Sequence, residues 1–246
     1  MSGHSKWNNI KRRKEKVDAQ KGKIFTKIGR EISVAVKKGG TDPATNFKLA
    51  ECIEKAKSFN VPNDNIERII KKASSSGVGD DCEELIYEGY GPGECAFMVK
   101  VLTDNKNRTA ANLRMYFSKF GGNLGQQGCV SYLFDELGVI IINKEGVSED
   151  SLMEDAINFS ANDIQRDDDS FVIISDRMSF VNLKKQLEEK KYNIESCEIS
   201  MVPKYYKEDL KNDELEKISR FVDSLEDDDN VQEVYHNAEF PEGWKE

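Results

Sequence analysis

The side chains of this sequence that are best suited to a chemical task are the basic residues near its N-terminus. Twelve lysines and arginines but only three acidic residues lie between positions 3 and 38, a local charge of +9, whereas the whole chain carries −9 and residues 39–246 therefore carry −18. A basic segment joined to an acidic remainder indicates a polyanionic partner, because each neutralised phosphate releases condensed counterions. The residues predicted to bind nucleic acid are Lys6, Lys11, Arg12, Arg13, Lys14, Lys16, Lys21, Lys23, Lys27, Arg30, Lys37, Lys38 and Arg108.

Catalytic and metal chemistry find little support in the sequence. Its two histidines, His4 and His236, lie near opposite ends, and no nucleophile–base–orienter pattern is present. The five cysteines form no C-x-x-C pair, and the run Asp227–Asp229 lacks the alternating ligands of a calcium loop, so we interpret it as a solvated turn. We expect no catalytic residue, no metal and no cofactor, although carboxylate pairs cannot be recognised from spacing alone.

Part of the basic stretch has the pattern of an amphipathic helix. On a helical wheel of residues 23–38, six apolar side chains from Ile24 to Val36 share one face, and five cations share the opposite face together with Val34. This pattern predicts a helix that packs on a core and presents a row of cations. Residues 4–20 have only a thin apolar stripe, so this segment is expected to order on binding. The cations of the helical row are Lys23, Lys27, Arg30, Lys37 and Lys38.

The rest of the chain predicts an α+β fold of three domains. Helical spacing continues to about residue 75, and the period then changes to that of strands, with a hairpin around Gly89–Gly93 and a strand predicted at Cys129–Phe134. Residues 137–202 follow the βαββαβ order of a ferredoxin-like sandwich. The last helix and strand cannot bury their apolar faces alone, so we join them to the earlier hairpin. The predicted domains are 1–78 (helical and basic), 82–134 with 205–246 (discontinuous α/β) and 137–202 (inserted, ferredoxin-like).

Several short motifs carry a family resemblance. Gly3–Trp7, Gly22–Lys27, Tyr87–Gly93 and Gly121–Gly125 resemble the corresponding segments of the YebC/PmpR family, and the likeness spans nearly the full chain. Arg12 stands where members often have histidine, which keeps the positive character. The resemblance implies a three-domain plan and a role as a probable transcriptional regulator. It also implies an alternative, because a mitochondrial relative activates translation of cytochrome c oxidase and some members are linked to the translating ribosome.

The expected partner is therefore a nucleic acid, with DNA favoured and ribosomal or transfer RNA as the alternative. The acidic domains could also contact other proteins. No apolar run approaches the ~20 residues of a membrane span, and the N-terminus has no apolar h-region, so we expect a cytoplasmic protein without membrane contact. Sequence specificity, oligomeric state and the choice between transcription and translation stay open at this point.

Overall fold

The computed structural model describes residues 21–75, 82–167, 169–241 and 244. These residues form seven α-helices and two antiparallel four-stranded sheets, which confirms the α+β class. In chain order the elements are α1 (Lys21–Gly39), α2 (Phe47–Ser58), α3 (Asn63–Ser75), β1 (Glu83–Tyr90), β2 (Ala96–Thr103), α4 (Lys106–Lys119), β3 (Asn123–Leu124), β4 (Phe134–Asn143), α5 (Glu149–Asn158), β5 (Asp163–Arg166), β6 (Ser170–Asp176), α6 (Arg177–Glu189), β7 (Ile194–Pro203), α7 (Asn212–Glu226) and β8 (Val231–His236), with 3-10 turns at Pro92–Glu94 and Ser131–Leu133.

The described residues divide into two compact units. The larger unit contains residues 21–131 and 207–238, and the smaller unit contains residues 132–206 with the described end of the chain from residue 239. The larger unit thus holds the three N-terminal helices together with the first sheet. The division into three domains stays a prediction.

The N-terminal helices of the larger unit form a bundle around an apolar core. Ile28, Ile32 and Val36 of α1 are buried against Leu49 of α2 and Ile66 of α3. These α1 residues recur at helical spacing, so one face of the helix is removed from water along most of its length. Burial of this face fixes the orientation of α1, and with it the direction in which its basic side chains point.

The sheet of the larger unit has the strand order β3-β1-β2-β8. The pairing of β2 with β8 joins the middle of the chain to its C-terminal part. Phe97 of β2, Phe117 of α4 and Phe221 of α7 form an aromatic cluster, with ring centroids 4.9 Å apart for Phe97–Phe221 and 4.8 Å for Phe117–Phe221. These contacts pack α4 and α7 against the sheet. Helix α7 ends five residues before the start of β8.

The loop after α4 is held down by one buried carboxylate. Glu88 of β1 accepts backbone N–H groups from Gly128 at 2.9 Å, Val130 at 2.9 Å and Ser131 at 2.8 Å. Burial alone would raise the pKa of Glu88, but these three hydrogen bonds lower it below its ordinary value. The loop also lies so close to β1 that a Cβ atom at Gly122 would overlap the Tyr90 carbonyl oxygen. The loop is therefore fixed to the strand along its length.

The smaller unit is a four-stranded sheet with two helices. Its strand order is β5-β6-β4-β7, and all three pairings are antiparallel. Ile140 and Ile173 on the sheet pack with Leu152 of α5 and Leu183 of α6 in one buried cluster. This β-α-β-β-α-β chain order is the one predicted for residues 137–202, and the observed elements begin at Phe134 and end at Pro203.

One strand prediction was wrong. Cys129–Phe134 was expected to be a strand, but Cys129 and Val130 lie in a bend, Ser131–Leu133 forms a 3-10 turn, and only Phe134 belongs to a strand. The apolar run is explained by the loop contacts, because the N–H groups of Val130 and Ser131 donate to Glu88 rather than to a neighbouring strand.

Candidate nucleic-acid interface

Helix α1 carries the candidate interface, and a polar contact fixes where it ends. The buried Asn46 side chain donates to the carbonyl oxygens of Ala35 and Gly40, both at 2.8 Å, and accepts from the Leu49 N–H at 3.1 Å. Asn46 thus caps the N-terminus of α2 and also binds two carbonyl groups at the C-terminal end of α1. A Cβ atom at Gly39 would lie 2.6 Å from the Asn46 Cγ, so only glycine fits at this crossing.

The basic row of α1 contacts an acidic segment of the same chain. We call residues 226–230, from the last residue of α7 to the start of β8, the acidic turn. The Lys23 Nζ lies 2.6 Å from an Asp227 carboxylate oxygen, and both side chains are more than half exposed (54% and 62%). The Lys27 Nζ donates to the Glu226 carbonyl oxygen at 2.6 Å. The first cations of the expected row thus meet acceptors of the turn, although more than half of the Lys23 side chain stays exposed. We call Lys23, Lys27 and Arg30 the α1 row.

Arg30 completes this contact at the edge of the sheet. One guanidinium nitrogen donates to the Asp229 carbonyl oxygen at 2.8 Å, and the other lies 3.3 Å from the Leu102 carbonyl oxygen at the end of β2. Leu102 in turn donates its N–H to the Asn230 carbonyl oxygen at 2.8 Å. A single arginine thus contacts both β2 and the acidic turn at the point where the turn enters β8.

The surroundings change the pKa values of the two lysines in opposite directions. The hydrogen bond and the charge of Asp227 raise the pKa of Lys23 above its ordinary value. Burial lowers the pKa of Lys27, and the nearby acidic residues of the turn only partly offset that effect. Lys27 is therefore more desolvated than Lys23, and any anion that binds it must enter a partly buried site.

The acidic turn lies at the C-terminal end of α7. The last carbonyl groups of a helix lack intrahelical partners and carry the negative end of its dipole, so cations are favoured there. The turn also has internal order, because the Asp228 carboxylate accepts the Asn230 N–H at 2.9 Å. Within the part of the chain that the structure describes, the Asp227 and Asp229 carboxylates form no comparable hydrogen bond inside the turn.

Arg108, the remaining candidate outside the N-terminal stretch, lies close to this contact. Its guanidinium pairs with Asp104 at 2.9 Å, one turn earlier at the start of α4. Arg30 and Arg108 both line an open cleft of about 490 Å³, together with Asn112 and the acidic turn. The structure therefore brings Arg108 near the α1 row, and acidic side chains share the same cleft.

A second, more buried set of charges attaches the helical bundle to the sheet. The Lys55 Nζ of α2 lies 2.9 Å from Glu31 of α1 and 2.6 Å from Glu233 of β8. Lys100 of β2 lies 3.5 Å from Glu233 and 3.7 Å from Glu84 of β1. We call these five residues the buried ion network. Burial alone would lower the pKa of Lys55, but Glu233 and Glu31 raise it above its ordinary value, so this lysine stays charged.

The other predicted contact residues are only partly covered by the structure. Lys37 and Lys38 lie in the last turn of α1. The side chain of Lys21, the first residue of α1, is not described. The candidates that lie outside the described residues are Lys6, Lys11, Arg12, Arg13, Lys14 and Lys16.

Sequence reasoning missed two features of this region. Asp227–Asp229 was expected to be a solvated turn, whereas it contacts the α1 row. Glu31 and Lys55 were not singled out at all. Opposite charges in distant segments were the only signal available for either pairing, and such charges are too common in a chain with 33% charged residues to be matched without coordinates.

Neither a membrane span nor a metal cluster is found in the part of the chain that the structure describes. No helix in residues 21–75, 82–167 or 169–241 is both long and apolar enough to cross a bilayer. Within the same ranges, no three or more His, Cys, Asp or Glu side chains are grouped to hold a metal ion.

Comparison with known proteins identifies the family. The profile for the TACO1/YebC protein N-terminal domain matches residues 5–76, and the profile for the TACO1/YebC second and third domain matches residues 82–238. The chain belongs to the TACO1/YebC family. The basic row and the acidic turn therefore lie in segments matched by two different profiles of that family, and the structure brings them together within one compact unit.

Similar proteins carry regulatory names. A protein of Geobacillus sp. (strain WCH70) is 52% identical over 241 residues, covering 97% of this chain and 98% of its own. A protein of Hathewaya histolytica is 49% identical over 247 residues and covers both chains completely. Both are named probable transcriptional regulatory proteins. A crystal structure of a conserved hypothetical protein from Aquifex aeolicus has a TM-score of 0.78 and 42% identity, covering 92% of this chain and 93% of that one.

Proposed function

We propose that this protein is a non-catalytic regulator that binds the phosphate backbone of nucleic acid through its basic N-terminal region. Duplex DNA in the control of transcription is the favoured target. The observation that carries the proposal is the fixed orientation of α1: its apolar face is buried in the bundle, and Lys23, Lys27 and Arg30 follow one another along another side of the helix. Cations held in a row on a rigid helix suit a regularly spaced series of phosphates.

The charge distribution supports the same proposal. A stretch of +9 attached to a remainder of −18 attracts a polyanion at one end and repels it elsewhere, which limits how the protein docks. Phosphate contacts position a protein but carry no sequence information, so this region supplies affinity rather than specificity. The regulatory names of the relatives agree with a role in transcription.

The contact residues proposed for this role combine the cations before α1, the cations of α1 and Arg108. In the proposed complex each neutralises backbone charge. They are Lys6, Lys11, Arg12, Arg13, Lys14, Lys16, Lys21, Lys23, Lys27, Arg30, Lys37, Lys38 and Arg108.

A salt titration of binding to a short duplex DNA tests the proposal. We expect the logarithm of the binding constant to fall linearly with the logarithm of salt concentration, with a slope near −0.9 for each phosphate neutralised. Replacing Arg12, Arg13 and Lys14 by alanine should weaken binding to every duplex alike. The slope should become shallower by roughly 0.9 for each phosphate that these side chains no longer neutralise.

The matched control removes three cations that are not proposed to bind. Lys185, Lys217 and Arg220 form exposed pairs with acidic residues one helical turn away, and alanine at these positions makes the same change in net charge. Absence of binding at low salt, or a flat salt dependence, contradicts the proposal. Weak duplex binding combined with salt-resistant co-sedimentation with ribosomes would replace DNA by RNA and transcription by translation.

A further inference from the structure

The acidic turn offers α1 a series of three oxygen acceptors. Lys23 meets a carboxylate oxygen of Asp227, Lys27 meets the Glu226 carbonyl oxygen, and Arg30 meets the Asp229 carbonyl oxygen. Cations spaced four and three residues apart lie on one face of a helix at successive turns. Three neighbouring cations are thus occupied at once by a single short segment.

We propose that the acidic turn masks the α1 row, and that a nucleic acid must displace it before Lys23, Lys27 and Arg30 can bind phosphate. This inference rests on the proposed function and adds regulation of the same site. The cations N-terminal to α1 make the first contact, and the α1 row engages after the turn has left. Affinity is therefore set partly by a competition within the chain.

The contacts of the turn are of a kind that a polyanion can replace. The Lys23–Asp227 pair is exposed, and exposed pairs are weak and screened by salt. Lys27 and Arg30 are held by neutral carbonyl oxygens, and hydrogen bonds from a cation to an ionised phosphate are stronger than those to a neutral acceptor. A phosphate backbone thus offers each cation a better partner than the turn does.

Helix capping alone does not explain the composition of the turn. Lysine and arginine near a helix C-terminus can bond its last carbonyl groups without any carboxylate. Carboxylates at that end oppose the helix dipole, and yet Asp227 and Asp229 follow α7 directly. Among the described residues, the Asp228 carboxylate accepts the Asn230 N–H inside the turn, whereas the Asp227 and Asp229 carboxylates make no such bond there. Their charges are accounted for if they compete with phosphate.

The double variant Asp227→Asn, Asp229→Asn tests the mask. We expect it to bind duplex DNA about fivefold more tightly than the unaltered chain, as for the loss of an exposed ion pair, with a salt slope steeper by roughly 0.9 for each cation freed. The control is Glu208→Gln, Asp209→Asn, which makes the same charge change in the exposed segment before α7. That segment lies at the other end of the 15-residue helix, about 22 Å away.

A substitution at Lys23 separates a mask from a structural contact. In the unaltered chain, Lys23→Ala removes a phosphate contact and also the competing Asp227 contact, so it should weaken DNA binding less than it does when the turn carries no carboxylate. In the Asp227→Asn, Asp229→Asn background the same substitution should remove much of the added affinity. An equal effect of Lys23→Ala in both backgrounds overturns the mask.

A measurement on the unaltered protein covers the case in which the variants are poorly folded. Hydrogen exchange of the backbone amides of residues 227–231 should accelerate when the chain is saturated with duplex DNA, because the turn is displaced; unchanged or slower exchange overturns the mask.

The proposed function and the mask fail through different outcomes. If no form of the protein binds DNA or RNA at low salt, the proposed function fails. If the Asp227→Asn, Asp229→Asn variant binds with the same affinity and salt slope as the Glu208→Gln, Asp209→Asn control, only the mask fails.

Discussion

Glu88 shows how one buried carboxylate can fix a long loop. Both of its oxygens are used, since Gly128 donates to one, and Val130 and Ser131 donate to the other. A carboxylate only accepts hydrogen bonds, so it can satisfy several N–H groups that converge on one point. The loop after α4 therefore depends on the charged form of this side chain.

We predict that Glu88→Gln lowers the free energy of unfolding by about 1–3 kcal/mol at pH 7, because the amide nitrogen then faces backbone donors inside the protein. Urea titration of both proteins measures the difference, and Asp135→Asn, on an exposed strand residue, is the control. A loss no larger than that of the control would show that the loop does not need the carboxylate.

The same substitution carries a pH dependence. The folded pKa of Glu88 lies below its ordinary value of 4.5, so its contribution is complete above pH 4.5 and is lost as the pH falls through the folded pKa. Glutamine does not titrate. The difference in stability between the two proteins should therefore be full at pH 7 and shrink below pH 4.5; a difference that grows on acidification contradicts the assignment.

At the level of single residues, sequence reasoning succeeded where one helix supplied all the information. The core residues of α1, such as Ile28 and Ile32, follow from spacing along one segment. The pairing of Lys55 with Glu31 and Glu233 does not, because it brings three distant segments together. The partners of Lys23 and Lys27 were missed for the same reason.

Among the structural elements, α2 is attached to the sheet by ion pairs. Lys55 is the central residue of the buried ion network, because it contacts acidic residues from both α1 and β8. A buried ion pair is weak evidence for net stability, but removal of one member leaves a buried charge behind. Without Lys55, Glu31 loses its lysine, while Glu233 keeps the longer contact with Lys100 at 3.5 Å. The attachment of the helical bundle is therefore sensitive to this one lysine.

We predict that Lys55→Met destabilises the protein by about 3–5 kcal/mol, because Glu31 and Glu233 lose their shared partner. The matched control is Lys57→Met on the same helix, which removes an exposed pair with Glu54 and should cost less than about 1 kcal/mol. Thermal unfolding followed by circular dichroism compares the two variants. Equal effects would mean that the network contributes no more than a surface ion pair.

The elements themselves were largely predictable. The βαββαβ order of the smaller unit, the three N-terminal helices and the final helix and strand follow from hydrophobic periodicity. The failure at Cys129–Phe134 has a physical cause: a mainly apolar run with two aromatic residues resembles a strand, but the N–H groups of Val130 and Ser131 bond to the Glu88 side chain. The short strand β3 at Asn123–Leu124 was also missed, because two residues carry no periodicity.

For the whole molecule, the distribution of charge matters more than its sum. The net charge is −9 and the isoelectric point is about 5.0, which alone would predict repulsion from any polyanion. The basic stretch is nevertheless concentrated within a few tens of residues. Local potentials of this kind act over roughly a Debye length, about 8–10 Å at physiological ionic strength, so a polyanion near the N-terminal region experiences mainly the positive end.

We predict that the protein is retained on a heparin column at pH 7 and low salt despite its negative charge, and that it elutes as salt is raised. The Asp227→Asn, Asp229→Asn variant should elute at higher salt than the Glu208→Gln, Asp209→Asn control, because only the former removes the carboxylate that pairs with Lys23 and weakens the hold of the turn on α1. Elution of the unaltered protein in the void volume at low salt would show that the acidic remainder dominates.

The three simultaneous contacts between the acidic turn and α1 also affect which anions can bind to the row. A nucleotide or inorganic phosphate competes for one position while the other two positions remain closed, so the turn rebinds at the high effective concentration of a tethered group. A polymer presents neighbouring phosphates together and can exchange all three positions in succession. Abundant small metabolites would then leave the row undisturbed, and the length of the anionic chain, rather than its total concentration, would decide whether the row responds.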